Sequence, residues 1–168
     1  IFANQKRLGV VPPGTQLSWG WNQLIVQDIE GGWWIATERG IFRFGGNKSS
    51  EGLSSLPLKK IYTVKDGIDD NNIFRLFEDS HGDIWFSTLG PSTHSSFHRW
   101  ERKTGNISIY TPEQLGIPPS AATAFANDSE GNLWIGFYEG GIARFRDGRF
   151  TFFAESDGVP SGFIRHLF

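Results

Sequence analysis

The stretch DSHGDIWFST, residues 79–88, decides the fold, because two others fall into register with it: DIEGGWWIAT at 28–37 and DSEGNLWIGF at 128–137. Asp28, Asp79 and Asp128 stand 51 and 49 residues apart, and Gly31, Gly82 and Gly131, like Trp34, Trp85 and Trp134, keep the same offsets from them. Ten aligned positions in three copies define an internal repeat of about fifty residues with one aligned tryptophan per unit. In each copy the Asp-x-x-Gly tetrad reads as a tight turn, in which the carboxylate accepts backbone N–H groups and the glycine supplies positive φ.

Working outward from the tetrads, a short apolar stretch precedes each aspartate: Leu24 to Val26, Ile73 to Phe77 and Ala124 to Ala126. These are expected to be innermost strands, with the tryptophan run as the second strand. A third strand ends in Arg43-Phe44, Arg99-Trp100 and Arg144-Phe145, and a fourth covers Lys60 to Val64, Ile107 to Thr111 and Arg149 to Ala154. Four strands per unit predict an all-β fold, a β-propeller with three four-stranded antiparallel blades visible as part of a larger propeller. The expected division is a leader at 1–18, which supplies an outer strand of a preceding blade, then blade one at 19–70, blade two at 71–119 and blade three at 120–161. Residues 162–168 are expected to begin a further blade, because 163–168 aligns with the first strand of blade two. Asp28, Gly31, Trp34 and their counterparts in the other blades are read as scaffold, since identical chemistry in every blade serves packing between blades. Three blades cannot close a ring, so the 168 residues are expected to belong to a longer natural chain with a Trp-lined face left open at one end.

Composition agrees with many short strands: 15% aromatic residues, with 21 Gly and 8 Pro to punctuate them, favour strands and turns over helices. A formal charge of −2 without a Lys/Arg cluster gives no electrostatic footprint for nucleic acid. Cysteine is absent, which removes disulfides, thiol catalysis and Cys-ligated zinc, and no apolar run approaches the roughly 18 residues of a membrane helix. With no Met and Ile1 first, the natural N-terminus is expected upstream, and any signal peptide with it.

The unit GIDDNNIFRLFEDSHGDIWFST, the Gly-Ile-x-Arg-Phe strands at 40–44 and 141–145, the Thr37-x-x-Gly40 loop and the phrase Gly158-Val159-Pro160-Ser161 together resemble the two-component regulator propeller repeat. Blade two departs from it with a loop five residues longer, 89–96, and blade three has Phe137 where Thr is expected. The resemblance implies a non-catalytic ligand-sensing or structural segment of a bacterial signal-transduction sensor, in the periplasm or outside the cell. It implies no cofactor and no metal, and as partners the rest of the same propeller or a second copy. An oligosaccharide or other small molecule is the ligand class it suggests. The alternatives are a streptogramin-lyase-like propeller enzyme, which needs a His/Glu constellation supporting a metal, and a protein-interaction scaffold.

Candidate binding residues fall on the loops that lead into the first strands or join second to third strands, all on one face. Trp19 and Trp21 either stack on a sugar ring or cover the open end of blade one. Asp69, Asp70, Asn71 and Asn72 either hydrogen-bond a polyol, bind a hard cation or form a solvated turn. Tyr138, Glu139, Ser120, Ser161 and the long loop at 89–96 share that face. Of the four His, only His94 and His98 are close in sequence, so a three-ligand metal site is not visible, and an enzyme would need either of them with Asp69, Asp70 or Glu139. Trp33, read as standing where Asp83 and Asn132 do, is expected at a hairpin tip facing solvent or a neighbouring molecule.

Overall fold

The Asp-x-x-Gly tetrads are hairpin turns, and each is held by its own aspartate in the same way. In the computed structural model, which describes residues 16–17, 23–46, 56–89 and 95–168, Asp79 Oδ1 accepts from the amides of His81 (2.9 Å) and Asp83 (3.0 Å), while Oδ2 accepts from Trp85 Nε1 at 2.8 Å. Asp28 does the same for Glu30, Gly32 and Trp34, and Asp128 for Glu130, Asn132 and Trp134, with the indole bond at 2.8 Å each time. The carboxylate thus fixes the turn and aims the indole with one group.

Each turn joins the first two strands of a four-stranded antiparallel sheet. Blade one contains β1 (Ile25–Gln27), β2 (Trp33–Thr37), β3 (Gly40–Phe44) and β4 (Leu58–Tyr62), hydrogen-bonded in that order. Blade two contains β5 (Ile73–Glu78), β6 (Ile84–Thr88), β7 (Phe97–Trp100) and β8 (Ile107–Tyr110). Blade three contains β9 (Ala122–Asn127), β10 (Leu133–Phe137), β11 (Ile142–Arg146) and β12 (Arg149–Phe153). Three four-stranded sheets in sequence order are the propeller arrangement that the repeat predicts. After β4, β8 and β12 comes a single 3-10 turn closed by a left-handed glycine, Gly67, Gly116 or Gly158, and the apolar residue after the first two of these, Ile68 or Ile117, is buried in the core.

Blades stack through their aromatics. Trp34, fully buried, lies 5.5 Å from Tyr62 and 4.8 Å from Trp100 of blade two, and the Arg43 guanidinium sits 4.8 Å from both indoles. Trp85, equally buried, contacts Tyr110 at 5.7 Å and Phe145 of blade three at 5.0 Å, with Arg99 over both rings. Trp134 repeats only half of this: its ring meets Phe153 of its own blade at 5.7 Å, Arg144 lies over it, and the indole is half-buried. Among the described residues, no ring of another blade meets it.

Two expectations are corrected. Residues 163–168, expected to begin a further blade, are held to blade three, where Ile164 N donates to Phe137 O (3.1 Å), Thr123 Oγ1 donates to Ile164 O (2.7 Å) and the Phe163 ring meets Tyr138. Trp33 does not point to solvent: it pairs with Gln27 as Ile84 pairs with Glu78 and Leu133 with Asn127, so it occupies an apolar register and packs on Ile35, Phe42 and Phe44. The residue aligned with Asp83 and Asn132 is Gly32. The fourth strand of blade one ends at Tyr62, two residues earlier than expected, because Thr63 caps the 3-10 turn that begins at Val64. Of the leader, only residues 16 and 17 are described, and Leu17 bridges Thr37.

The turn chemistry predicts an acid transition. Hydrogen bonds from Asn132 and Trp134 hold the Asp128 carboxyl down at about 2, from an ordinary 3.8. A depressed carboxylate stabilises the fold above the ordinary value, and that contribution disappears as pH falls through the folded value. Tryptophan emission is therefore expected to shift between pH 3.8 and about 2, and the Asp128→Asn chain should lack that step.

Candidate functional site

Antiparallel order places the lead-ins to β1, β5 and β9 and the loops between second and third strands at one end of the sheets, with the Asp turns and the hairpins between third and fourth strands at the other. On the loop end, blade two builds a polar cluster around Asp69. Asp69 Oδ1 accepts from Thr88 Oγ1 at 2.9 Å and lies 3.0 Å from His98 Nε2, and Oδ2 accepts from Ser96 Oγ. His98 is fully buried on β7, stacked on its cross-strand partner Phe86 with centroids 4.7 Å apart, and its Nδ1 has no partner. Burial pushes the Asp69 carboxyl up, but hydrogen bonds from His98, Ser96 and Thr88 outweigh it and hold the group below its ordinary value.

Of the pairings that the enzyme alternative would need, Asp69 with His98 is present, in a form suited to clamping. The serine donates to the carboxylate instead of the imidazole, and the imidazole has no exposed surface from which to reach a substrate. The cluster ties the loop before β5 to β6 and β7. Thr88 joins it because the longer loop of blade two frees it, whereas its counterpart Thr37 closes its own turn by donating to Gly40 O at 2.7 Å. Thr88 was not singled out in the sequence and Ser96 only as the end of the long loop, and their contacts with Asp69, 19 and 27 positions away, carry no local signal.

The neighbouring polar residues build the turn. Asp70 Oδ1 accepts from Asn72 N at 2.7 Å, Asn71 Oδ1 accepts from Val64 N at 3.0 Å, and Asn72 O accepts from Leu89 N at 2.9 Å. On blade three, Tyr138 is 53% exposed and Phe163 39% exposed, with ring centroids 4.9 Å apart, which makes an aromatic platform on the loop face. Glu139 beside it is exposed, and its amide donates to Ser120 Oγ at 2.9 Å. Trp19, Trp21 and His94 lie outside the described residues.

One residue escaped the sequence reading altogether. Arg75 stands on innermost β5 where Leu24 and Ala124 stand in the other blades, and it is 5% exposed. Its Nε donates to Thr123 O of blade three at 3.0 Å, Nη1 donates to Phe74 O at 2.9 Å, and burial pulls the guanidinium down to about 10. The signal was available as a cation breaking an apolar register. Alongside it, Gln23 reaches blade three, its Nε2 donating to Phe125 O at 2.8 Å. No helix among the described residues is long and apolar enough to cross a membrane.

Residues 67–90 and 116–139 match the family described as two component regulator propeller; each match runs from the glycine of a 3-10 turn through the Asp turn to just beyond the tryptophan strand. No curated protein matches the chain. Among solved structures, the extracellular domain of the protein described as the hybrid two component system BT3049 of B. thetaiotaomicron is similar, with 20% identity and a TM-score of 0.64 over 84% of this chain and 18% of that one. The extracellular domain of BT4673 from the same organism, described likewise, is similar with 21% identity and a TM-score of 0.62 over 80% of this chain and 18% of that one. The chain thus spans less than a fifth of those structures, and the likeness establishes the propeller fold.

Proposed function

We propose, from the two-component regulator propeller repeats that the chain carries, that it is a ligand-sensing segment, without catalysis of its own, of an extracellular or periplasmic sensor in bacterial signal transduction. The repeat residues are absorbed by the scaffold, so recognition falls to residues that break the repeat on the loop face. The observation that carries the reading is the Tyr138–Phe163 platform, two exposed rings side by side on the loop face, whereas Trp34 and Trp85 are sunk between blades. Such a platform, flanked by the Glu139 carboxylate, suits the apolar face and hydroxyls of a sugar ring, so the ligand class is an oligosaccharide. The similar B. thetaiotaomicron structures are extracellular domains, which supports the same location here. The half-covered Trp134 face is where the rest of the propeller, or a second copy, completes the stack.

The test is titration of the parent protein with a panel of soluble oligosaccharides, followed by calorimetry and by chromatography of the sugar. Binding without consumption is expected, weakened about tenfold or more by Tyr138→Ala, the scale of an aromatic contact at a binding centre. Cleavage of any sugar would replace the sensor reading with an enzyme. Binding that ignores Tyr138→Ala would make this segment purely structural.

A further inference from the structure

Arg75 is a buried cation without an anion. Its Nε and Nη1 donate to the carbonyls of Thr123 and Phe74, the residues at which the innermost strands β9 and β5 bulge, so the guanidinium spans the inner edge of the seam between blades two and three. The Phe74 ring covers it at 3.6 Å. Carbonyl oxygens and a ring bear no net charge, and no carboxylate among the described residues pairs with Arg75; burial alone acts on its ionisation. Nη2 makes no hydrogen bond among the described residues and is not sealed off, so both its N–H donors remain for another group.

The scaffold does not require a cation here. At the same place in the repeat, blades one and three carry Leu24 and Ala124, opposite Ala36 and Gly136, whereas Arg75 stands opposite Ser87. Cross-strand partners share one face of a sheet, with Cβ atoms about 5 Å apart. That face is turned to blade three, because Trp85, on the same side of β6 as Ser87, meets Phe145 there. Ser87 is fully buried, and its Oγ has no partner. Among the three blades, only blade two therefore replaces an apolar pair with a charged donor and a hydroxyl donor, side by side and both with hydrogen-bonding capacity unused. These are two separate departures from the repeat, and a carboxylate answers both: it accepts from either donor and neutralises the buried charge.

We propose that the inner edge of the seam between blades two and three is a binding site for a carboxylate group, received by Arg75 Nη2 with Ser87 Oγ beside it. The carboxylate belongs either to a free organic acid or to an acidic oligosaccharide, and only the second source rests on the oligosaccharide reading above. Thr123 links this place to the platform, since its carbonyl takes Arg75 Nε and its hydroxyl donates to Ile164 O, next to Phe163.

Acetate added to the parent protein, with ionic strength held constant by chloride, is expected to raise the thermal midpoint, and acetamide, its neutral isostere, to leave it unchanged. Arg75→Leu, which installs the residue of blade one, should abolish the acetate effect, and Ser87→Ala should weaken acetate several-fold. Without acetate, Arg75→Leu should keep or raise the midpoint, because an apolar side chain relieves a buried charge; if that chain does not fold, Ser87→Ala, which removes only a hydroxyl, decides. A uronate disaccharide that binds at least about tenfold tighter than acetate, and loses that advantage as its methyl ester, assigns the site to an acidic sugar. A uronate no tighter than acetate assigns it to a free organic acid. Equal effects of acetate and acetamide overturn the proposal, as does an acetate effect undiminished in either variant. Neither result touches the platform, which is read with neutral sugars and Tyr138→Ala; loss of neutral-sugar binding with the acetate effect intact overturns the platform alone.

Discussion

Trp85→Ala is expected to lower the unfolding free energy by about 4 kcal/mol, near the upper end for truncating a buried indole, while Trp134→Ala lowers it by only about 1–2 kcal/mol. The two residues hold identical positions in the repeat and make the same 2.8 Å bond to their turn aspartates. They differ in what lies on the other side. Trp85 is sealed by Tyr110, Phe145 and the Arg99 guanidinium, so its removal leaves a cavity between two blades and frees a cation that had been stacked on it. Trp134 is already half-open, and its loss removes less buried surface. Urea denaturation of both variants measures the difference, and equal losses would show that the blades do not bear on one another as the stacking implies. Trp34→Ala should fall with Trp85→Ala, since Trp100 and Arg43 enclose it in the same manner.

Asp79→Asn is expected to cost about 3 kcal/mol or more, despite the near-identical shape of the two side chains. One amide oxygen can still accept from the His81 and Asp83 amides, but the NH2 group then faces Trp85 Nε1, donor against donor. The indole N–H is fully buried, so water cannot replace the lost acceptor without opening the blade interface. Asp79→Ala removes all three bonds and should not fold to a native urea midpoint at all. Asp128→Asn creates the same opposition in the less covered blade, and water can reach it there, so a smaller loss is expected. A reversed order, with Asp128→Asn the more damaging, would contradict the assignment of these aspartates as joint turn and indole anchors.

The parts of this fold that were legible in the sequence share one property, which is that their determinants lie within a single hairpin. Asp79, Gly82 and Trp85 keep constant offsets because the turn places i, i+3 and i+6 in contact wherever the hairpin occurs. The four strands per unit, the one aligned tryptophan per blade and the family resemblance follow from that local repetition. Where the local register was misjudged by one place, as at Trp33, the error inverted the direction of a side chain, since neighbouring strand residues point to opposite faces.

The contacts that give the chain its candidate sites depend on how blades and loops meet. Asp69 and His98 are 29 residues apart, and nothing in either segment states that the imidazole would be buried against Phe86. Arg75 donates to Thr123 across 48 residues, and Arg102 reaches Asp28 in another blade altogether. The hairpin that carries Arg102 has a length visible in the sequence, but its reach is not. Hairpin chemistry is short-range and repeats with the chain, so the sequence alone determined the blades. The order and spacing in which those blades stack decide which charges are paired, which are left unpaired and which rings stay uncovered, and only the tertiary structure contains that.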